Sequence, residues 1–412
     1  MARPRIRCVK ILPPEKHGMA SSENSAPDVC VIVPTFNRAQ YLGEAIDSLL
    51  NQTRPPAQII VVDDGSTDTT PDVARSYGER VRYIRKENGG KASAVNVGLR
   101  ESKNEYVYVF DDDDIACPDA IEKLIEPLEN DRGLGFSHGG LTHFVTGEGG
   151  THVEILRPDF TVTKRGFHFT VLQQRCSIAH NASIVRRRCY EEVGYLDESY
   201  KRSEDFEFLL RLTSRFDGVS VPARVLKFRD HAGLRGDASS QHGIAVRDRI
   251  HYQWEQKMFR SLRGKVAIER YVGKQAGGAL TADEQFDAWF LRSISMAAHG
   301  LWPEFDEDIA ICAKLRATTD APLSQPQAKL LSQGFSHWYG YVDERGKCVI
   351  PRRSVMNAIH ALGRHAIRPI ARGFYWAARN ARADGERWVA TKCLGFALAT
   401  VVSGWFAGPR GA

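Results

Sequence analysis

The sequence predicts an α/β protein: a mostly parallel sheet flanked by helices, followed by a mainly helical C-terminal region. Three observations carry that prediction. From Val29 onward short β-branched runs alternate with segments of helical period, the strongest runs end in polar clusters, and beyond about Ile244 helical spacing takes over.

Val29 to Val33 (VCVIV) is a continuous apolar run of strand length, as a strand buried on both faces requires. AQYLGEAIDSLLNQ, from Ala39, repeats its apolar residues every three or four positions and reads as an amphipathic helix. QIIVVD, from Gln58, is a second strand, and DTTPDVARSYG, from Asp68, a second helix. VRYIR (Val81 to Arg85), the helical KASAVNVGLRES from Lys91, and the strand YVYVF (Tyr106 to Phe110) follow. Strands joined by helices at this spacing cross over in parallel, with helices on both faces of the sheet.

The 412 residues allow two or three compact units at roughly 150 residues each. With 42% hydrophobic and 26% charged residues, the chain is an ordinary globular protein rather than a disordered or collagen-like one. The formal charge of +6 is unevenly spread: ten basic residues against two acidic ones from Pro351 onward give +8 there and leave −2 elsewhere. A near-neutral body with a basic tail argues against nucleic acid as a partner and for a local anionic one such as a membrane surface. The eight cysteines are scattered, with no CxxC pair, which points to a reduced, cytoplasmic setting. The N-terminal stretch up to Pro27 has no apolar run of signal-peptide length and reads as a flexible leader.

In parallel α/β sheets ligands bind beyond the carboxyl ends of the strands. The strand-end clusters here are Pro34-Thr35-Phe36-Asn37, Asp63-Asp64-Gly65-Ser66 and Asp111 to Asp114, and all three should meet at one rim. No GxGxxG follows the first strand and no GxxxxGK[ST] occurs, so a dinucleotide oxidoreductase or a P-loop NTPase would lack its phosphate cradle. Four successive aspartates repel one another when ionised together, and a hard divalent ion bridging carboxylate and diphosphate oxygens relieves them.

The ordered set VIVPTFNRAQYLGEAIDSLLNQT, VVDDGSTDTT, ENGGKASAVNVGL, FDDDDIACPDAIEKL, GYLDES and SEDFEFLLRL resembles the inverting nucleotide-sugar glycosyltransferases of family 2, which have the GT-A fold. The resemblance runs from about Val29 to about Arg211, nearly half the chain. It implies that Phe36 lies against the uracil of a UDP-sugar, that Asp64 accepts the uracil N3 hydrogen, and that Asn88 and Lys91 belong to a nucleotide-contacting turn. Pro34, Thr35 and Asn37 share that nucleotide-sugar site. The motif aligns Asp111, Asp113 and Asp114 with the family carboxylates, with Asp113 the foremost metal ligand, Asp111 beside it, and Asp112 reaching the ribose. The cofactor implied is Mn²⁺ or Mg²⁺. Asp205, in the first turn of a helix introduced by a cap-like Ser203, is the implied catalytic base, and His231, in the loop-like FRDHAGLRGDASS, is a loose match to a histidine near the diphosphate.

Read this way, residues 28–243 form the GT-A glycosyltransferase domain, 244–350 a helical region without an assigned role, and 351–412 a basic amphipathic and apolar tail. No Gln-x-x-Arg-Trp motif of processive members is present, so a single-transfer enzyme is expected. The acceptor is left open among glycan, lipid-linked and protein hydroxyls. A sugar nucleotidyltransferase would need a glycine-rich basic loop where PTFNRAQ stands, and a catalytically silent scaffold would be expected to lack Asp113 or Asp205. In the tail Ile359, Leu362, Ala366, Ile370 and Phe374 form one helical stripe with Arg364, Arg368 and Arg372 opposite, and Pro369 is expected to split it. Cys393 to Gly408 is uncharged but shorter than the roughly 20 residues that span a bilayer. The expectation is peripheral attachment to an anionic surface on the cytoplasmic face, with packing against the protein body as the alternative.

Overall fold

The computed structural model describes residues 28–147, 151–155, 162–172, 178–230, 244–316, 322–343 and 347–406. The N-terminal leader lies outside the described residues. β1 (Val29–Thr35), α1 (Ala39–Leu50), β2 (Gln58–Asp63), α2 (Thr70–Arg75), β3 (Arg82–Arg85), α3 (Lys91–Glu101) and β4 (Tyr106–Val109) follow the sequence pattern in order. β1 pairs in parallel with β2 and β4, and β2 with β3, which gives the order β3-β2-β1-β4.

The chain continues through β5 (Ile115–Ala116), α4 (Ala120–Asn130), β6 (Phe136–Thr146), β7 (His152–Ile155), α5 (His168–Leu172), β8 (Ser183–Arg186), α6 (Arg187–Val193), α7 (Glu204–Arg215) and β9 (Gly218–Arg229). These strands extend the sheet as β4-β8-β6-β9-β5, with β7 on β6. Pairing in this half is mixed: β8 runs antiparallel to both β4 and β6, while β6 and β9 are parallel. After β4 the chain lays β6 two strands out, and β8 later fills the gap in the reverse direction. The fully parallel arrangement is therefore confined to the half whose strand-helix alternation is regular.

Alternation along β1 builds two cores, because successive side chains point to opposite faces. Val29, Val31 and Val33 pack with Leu42, Ile46 and Leu49 of α1 and Leu124 and Ile125 of α4. Cys30 and Ile32 pack with Ala94, Val95 and Leu99 of α3. α3 approaches so closely that a Cβ on Gly98 would lie 2.4 Å from Cγ2 of Ile32.

Among the described residues seven α-helices follow: α8 (Ile244–Arg263), α9 (Ala282–Ala298), α10 (Trp302–Leu315), α11 (Gln325–Gly334), α12 (Arg352–Leu362), α13 (Ile367–Ala383) and α14 (Arg387–Phe406). Their core is continuous with the α3 side of the sheet. Phe206 of α7 meets Phe259 of α8 at 6.3 Å between ring centroids, and farther on Phe305, Phe335, Phe374 and Phe396 stand in a row at 5.7, 5.7 and 4.8 Å. The stripe Leu362, Ala366, Ile370 and Phe374 is buried in this core and Ile359 is half-buried, whereas Arg364, Arg368 and Arg372 are exposed. The apolar stripe of the tail thus faces protein. Gly363, at φ 73°, divides α12 from α13, and Pro369 sits in the first turn of α13, where its missing N–H costs nothing. Among the described residues no helix is long and apolar enough to cross a membrane.

Candidate active site

The C-terminal ends of β1, β2 and β4 open onto a cavity of about 750 Å³. β1 delivers Pro34, Thr35 and Phe36, β2 delivers Asp64, the turn before α3 delivers Asn88 and Lys91, and β4 leads into Asp111, Asp112 and Asp113; all of them line the cavity. Asp205 lines it as well, with Glu204 and the loop from Glu198 before it, Asn181, and Glu255 from α8. Asn37 is the exception. Its backbone N–H donates to Ser66 Oγ (2.9 Å) and its side-chain oxygen accepts from the Thr67 N–H (2.8 Å), so it ties the end of β1 to the loop after β2 instead of facing the cavity. His231 lies outside the described residues.

The two acids at the end of β2 have separate duties. Asp63 is fully buried, accepting from the Ser66 N–H (2.8 Å) and the Tyr83 hydroxyl (2.6 Å), which fixes the turn. Asp64 accepts from Lys86 Nζ (2.7 Å) and from the N–H groups of Gly89 (3.0 Å) and Gly90 (2.7 Å), while Asn88 donates to its carbonyl (3.0 Å). One carboxylate thereby shapes the Asn-Gly-Gly-Lys turn as a wall of the cavity. Gly65, at φ 86°, permits the close approach, since a Cβ there would lie 3.1 Å from the Asn88 nitrogen.

The aspartate run is held by groups from distant elements. Asp111 pairs with Lys91 Nζ (2.5 Å) and accepts from Asn181 Nδ2 (3.1 Å). Asp114 accepts from Asn181 Nδ2 (2.6 Å) and from the Arg229 N–H (2.8 Å). Arg229 also donates through Nε to the Asp113 carbonyl (2.8 Å), forms an ion pair with Glu44 and lies over the Phe144 ring (4.5 Å). Burial, and then the charge of Asp113, pushes the Asp112 carboxyl up to about 8 and raises Asp114 as well. Carboxylate oxygens of Asp111, Asp113 and Asp114 lie within 4.8 Å of one another. Crowded carboxylates with neighbours driven toward the neutral form are the hard oxygen donor set that suits a divalent cation, so these residues fit the metal that the resemblance implies.

Asp205 stands in the first turn of α7, where helix N–H groups favour a carboxylate. It accepts from the Phe206 N–H (2.8 Å). Ser203 is the N-cap residue, but its side chain makes no capping bond and its backbone is left-handed at φ 58°. The acids of the first turn, rather than a hydroxyl cap, therefore face the helix end. Glu204 is pushed up to about 7 by burial and then by Asp205. Lys91 is held protonated against its burial by Asp111, Asp205 and Glu204. Beneath this group His180 lies 2.8 Å through Nε2 from the Tyr190 hydroxyl and against Phe208 of α7, and burial brings it down to about 4. Asn181, His180, Arg229, Lys86 and Glu255 were not singled out from the sequence. The His-Asn pair just ahead of the strand-like SIVR was the one local signal, a polar pair at a strand start.

Residues 30–191 match the family described as Glycosyl transferase family 2. An uncharacterized glycosyltransferase of Rickettsia felis is 33% identical over 190 residues, covering 45% of this chain and 31% of that protein. The hyaluronan synthase of Pasteurella multocida is 27% identical over 250 residues, covering 59% of this chain and 24% of the synthase, so the chain spans less than a third of either relative. Among solved structures, S. aureus TarS 1-349 in complex with UDP is 15% identical with a TM-score of 0.49, covering 88% of this chain and 90% of that one. Its motifs are gathered at the strand ends of an α/β sheet, and the residues that run through that sheet, 30–191, are similar to glycosyltransferase family 2.

Proposed function

We propose that the protein is a metal-dependent glycosyltransferase that moves a sugar from a nucleotide-diphosphate donor, a UDP-sugar, to an acceptor hydroxyl with inversion at the anomeric carbon, in the synthesis of a cell-surface glycan or polysaccharide. The observation that carries this reading is the meeting of Phe36, Asp64, Lys91, Asp111 to Asp113 and Asp205 around one cavity. Phe36, half-buried at the end of β1, offers an aromatic face to the base, with Asp64 for its N3 hydrogen and Asp112 for the ribose. Asp111, Asp113 and Asp114 would hold the divalent ion, which supplies counter-charge to the leaving diphosphate when bound. Asp205 takes the acceptor proton as the bond from acceptor oxygen to anomeric carbon forms and the bond from that carbon to the diphosphate oxygen breaks, the electron pair leaving on the diphosphate. Lys91, kept cationic between Asp111 and the α7 acids, fixes the base relative to the aspartate run. The likeness to a hyaluronan synthase supports a polysaccharide product.

The test is turnover of a panel of nucleotide sugars by the purified chain with manganese or magnesium. UDP-sugars should be consumed and EDTA should stop the reaction. Asp205→Asn should lower kcat by roughly 100-fold or more while donor affinity stays nearly unchanged. NMR of the product should show inversion; retention of configuration, or an Asp205→Asn variant with undiminished kcat, overturns the mechanism.

A further inference from the structure

We propose that the hairpin of α13 and α14 docks the protein on an anionic lipid surface, with an arginine ladder over the headgroups and the outer face of α14 in the interface. This is independent of the transfer reaction.

α13 exposes Arg368, Arg372, Tyr375, Arg379 and Arg382, which recur at intervals of four, three, four and three and so share one face. The opposite face, with Ile370, Phe374, Ala377 and Ala381, is buried in the core. None of the four arginines forms an ion pair among the described residues, although Arg379 lies over Trp376 (5.0 Å). The acids nearest in sequence, Asp384 and Glu386, sit in the turn between the helices, where Asp384 accepts from Trp338 Nε1 (2.8 Å). The ladder is therefore an uncompensated cationic stripe that calls for an anionic partner.

α14 supplies the apolar half. Val389, Ala390, Cys393 and Ala397 seat it on α13 and the body, whereas Trp388 is 64% and Leu398 63% exposed, and Leu394 and Val401 continue the uncovered face. From Cys393 to Phe406 there is no charged residue. A helix whose outer face met only water would carry charge there, and one that crossed a bilayer would be more apolar. An apolar face on α14 and a cationic stripe on the neighbouring α13, with Tyr375 and Trp388 exposed among them, match the composition of a lipid interface. A second copy of the chain is a poorer occupant, since a symmetric contact over this hairpin would set arginines against arginines with no acid on that face to answer them.

Co-sedimentation of the full chain with vesicles of phosphatidylcholine and phosphatidylserine at about 7:3 and low salt should bring it down, while phosphatidylcholine alone should not. Each arginine near an anionic leaflet contributes about fivefold, so Arg372→Gln, Arg379→Gln and Arg382→Gln together should weaken binding about 100-fold. Leu394→Ser with Leu398→Ser should leave a weak residue of binding that salt abolishes. Thermal melting of each variant, equal to that of the parent, confirms that the fold is kept. The proposal fails if the full chain stays in the supernatant, if the triple arginine variant binds as tightly as the parent, or if sedimentation velocity shows a dimer that the leucine variant dissolves without any vesicle binding.

Discussion

Asn181 answers two aspartates with one amide. Its Nδ2 donates to Asp111 and to Asp114, whose buried carboxyl also accepts from the N–H of Arg229. Asn181→Ala should leave that carboxyl short of a donor and let the run relax. Hydrogen bonds to charged groups contribute about 1.5–3 kcal/mol, so manganese and UDP affinity should fall about tenfold or more together, as calorimetry would show. Unaltered affinities would mean that the amide does not position the run. The contrast with the strand-end residues explains what the sequence could disclose. Phe36, Asp64 and Asp111 to Asp113 were legible because each stands at the end of a strand with an unmistakable apolar run. Asn181 and Arg229 reach the same carboxylates from 67 and 115 residues away in the chain, through β8 and β9, and no local pattern announces such a meeting. Asn37 erred in the other direction: it shares the strand end but spends its side chain on the neighbouring loop.

At the scale of elements, the half-sheet up to β4 was legible because strand and helix periods alternate cleanly there. The half beyond it was not, because β8 inserts antiparallel between two strands already laid down, and pairing order leaves no trace in periodicity. Close packing is another property that pattern does not disclose. Gly98 in α3 would be a weak point by helix preference alone, since alanine is favoured over glycine by about 1 kcal/mol. Here a Cβ would meet Ile32 at 2.4 Å, and overpacking of a filled core costs about 1–3 kcal/mol. Gly98→Ala should therefore lower the midpoint of urea unfolding despite its better helix preference. A rise would show that α3 has room to withdraw from β1.

At the scale of the whole molecule, one continuous core joins the α3 face of the sheet to the C-terminal helices. A sequence pattern shows that a stripe is apolar but not whether protein or lipid covers it, which is why the stripe from Leu362 to Phe374 read as a possible membrane face and lies in the core. The same interior holds ionisable groups whose burial reaches into global stability. His138 of β6 and His168 of α5 lie 5.3 Å apart between ring centroids, each with Nε2 toward Ser220 Oγ of β9 at 2.7 and 3.4 Å, and Phe136 packs against both. The charged groups acting on His168 are Asp217, which favours its protonation, and Arg270, which opposes it; the two are themselves paired at 3.1 Å. Burial brings His138 down to about 3 and His168 to about 4 from an ordinary value of 6.5. Both folded-state values lie below the unfolded one, so above about pH 6.5 both states are neutral and the pair is without effect. As the pH falls below that, the unfolded chain takes up protons that the folded chain refuses, and each histidine removes up to about 1.4 kcal/mol of stability per pH unit until its folded-state value is reached. The melting temperature should fall progressively between about pH 6.5 and 4, and a His138→Gln, His168→Gln variant should lose less over that interval than the parent, because a glutamine does not titrate. Parallel pH profiles for the two proteins would show that acid destabilisation arises elsewhere in the molecule.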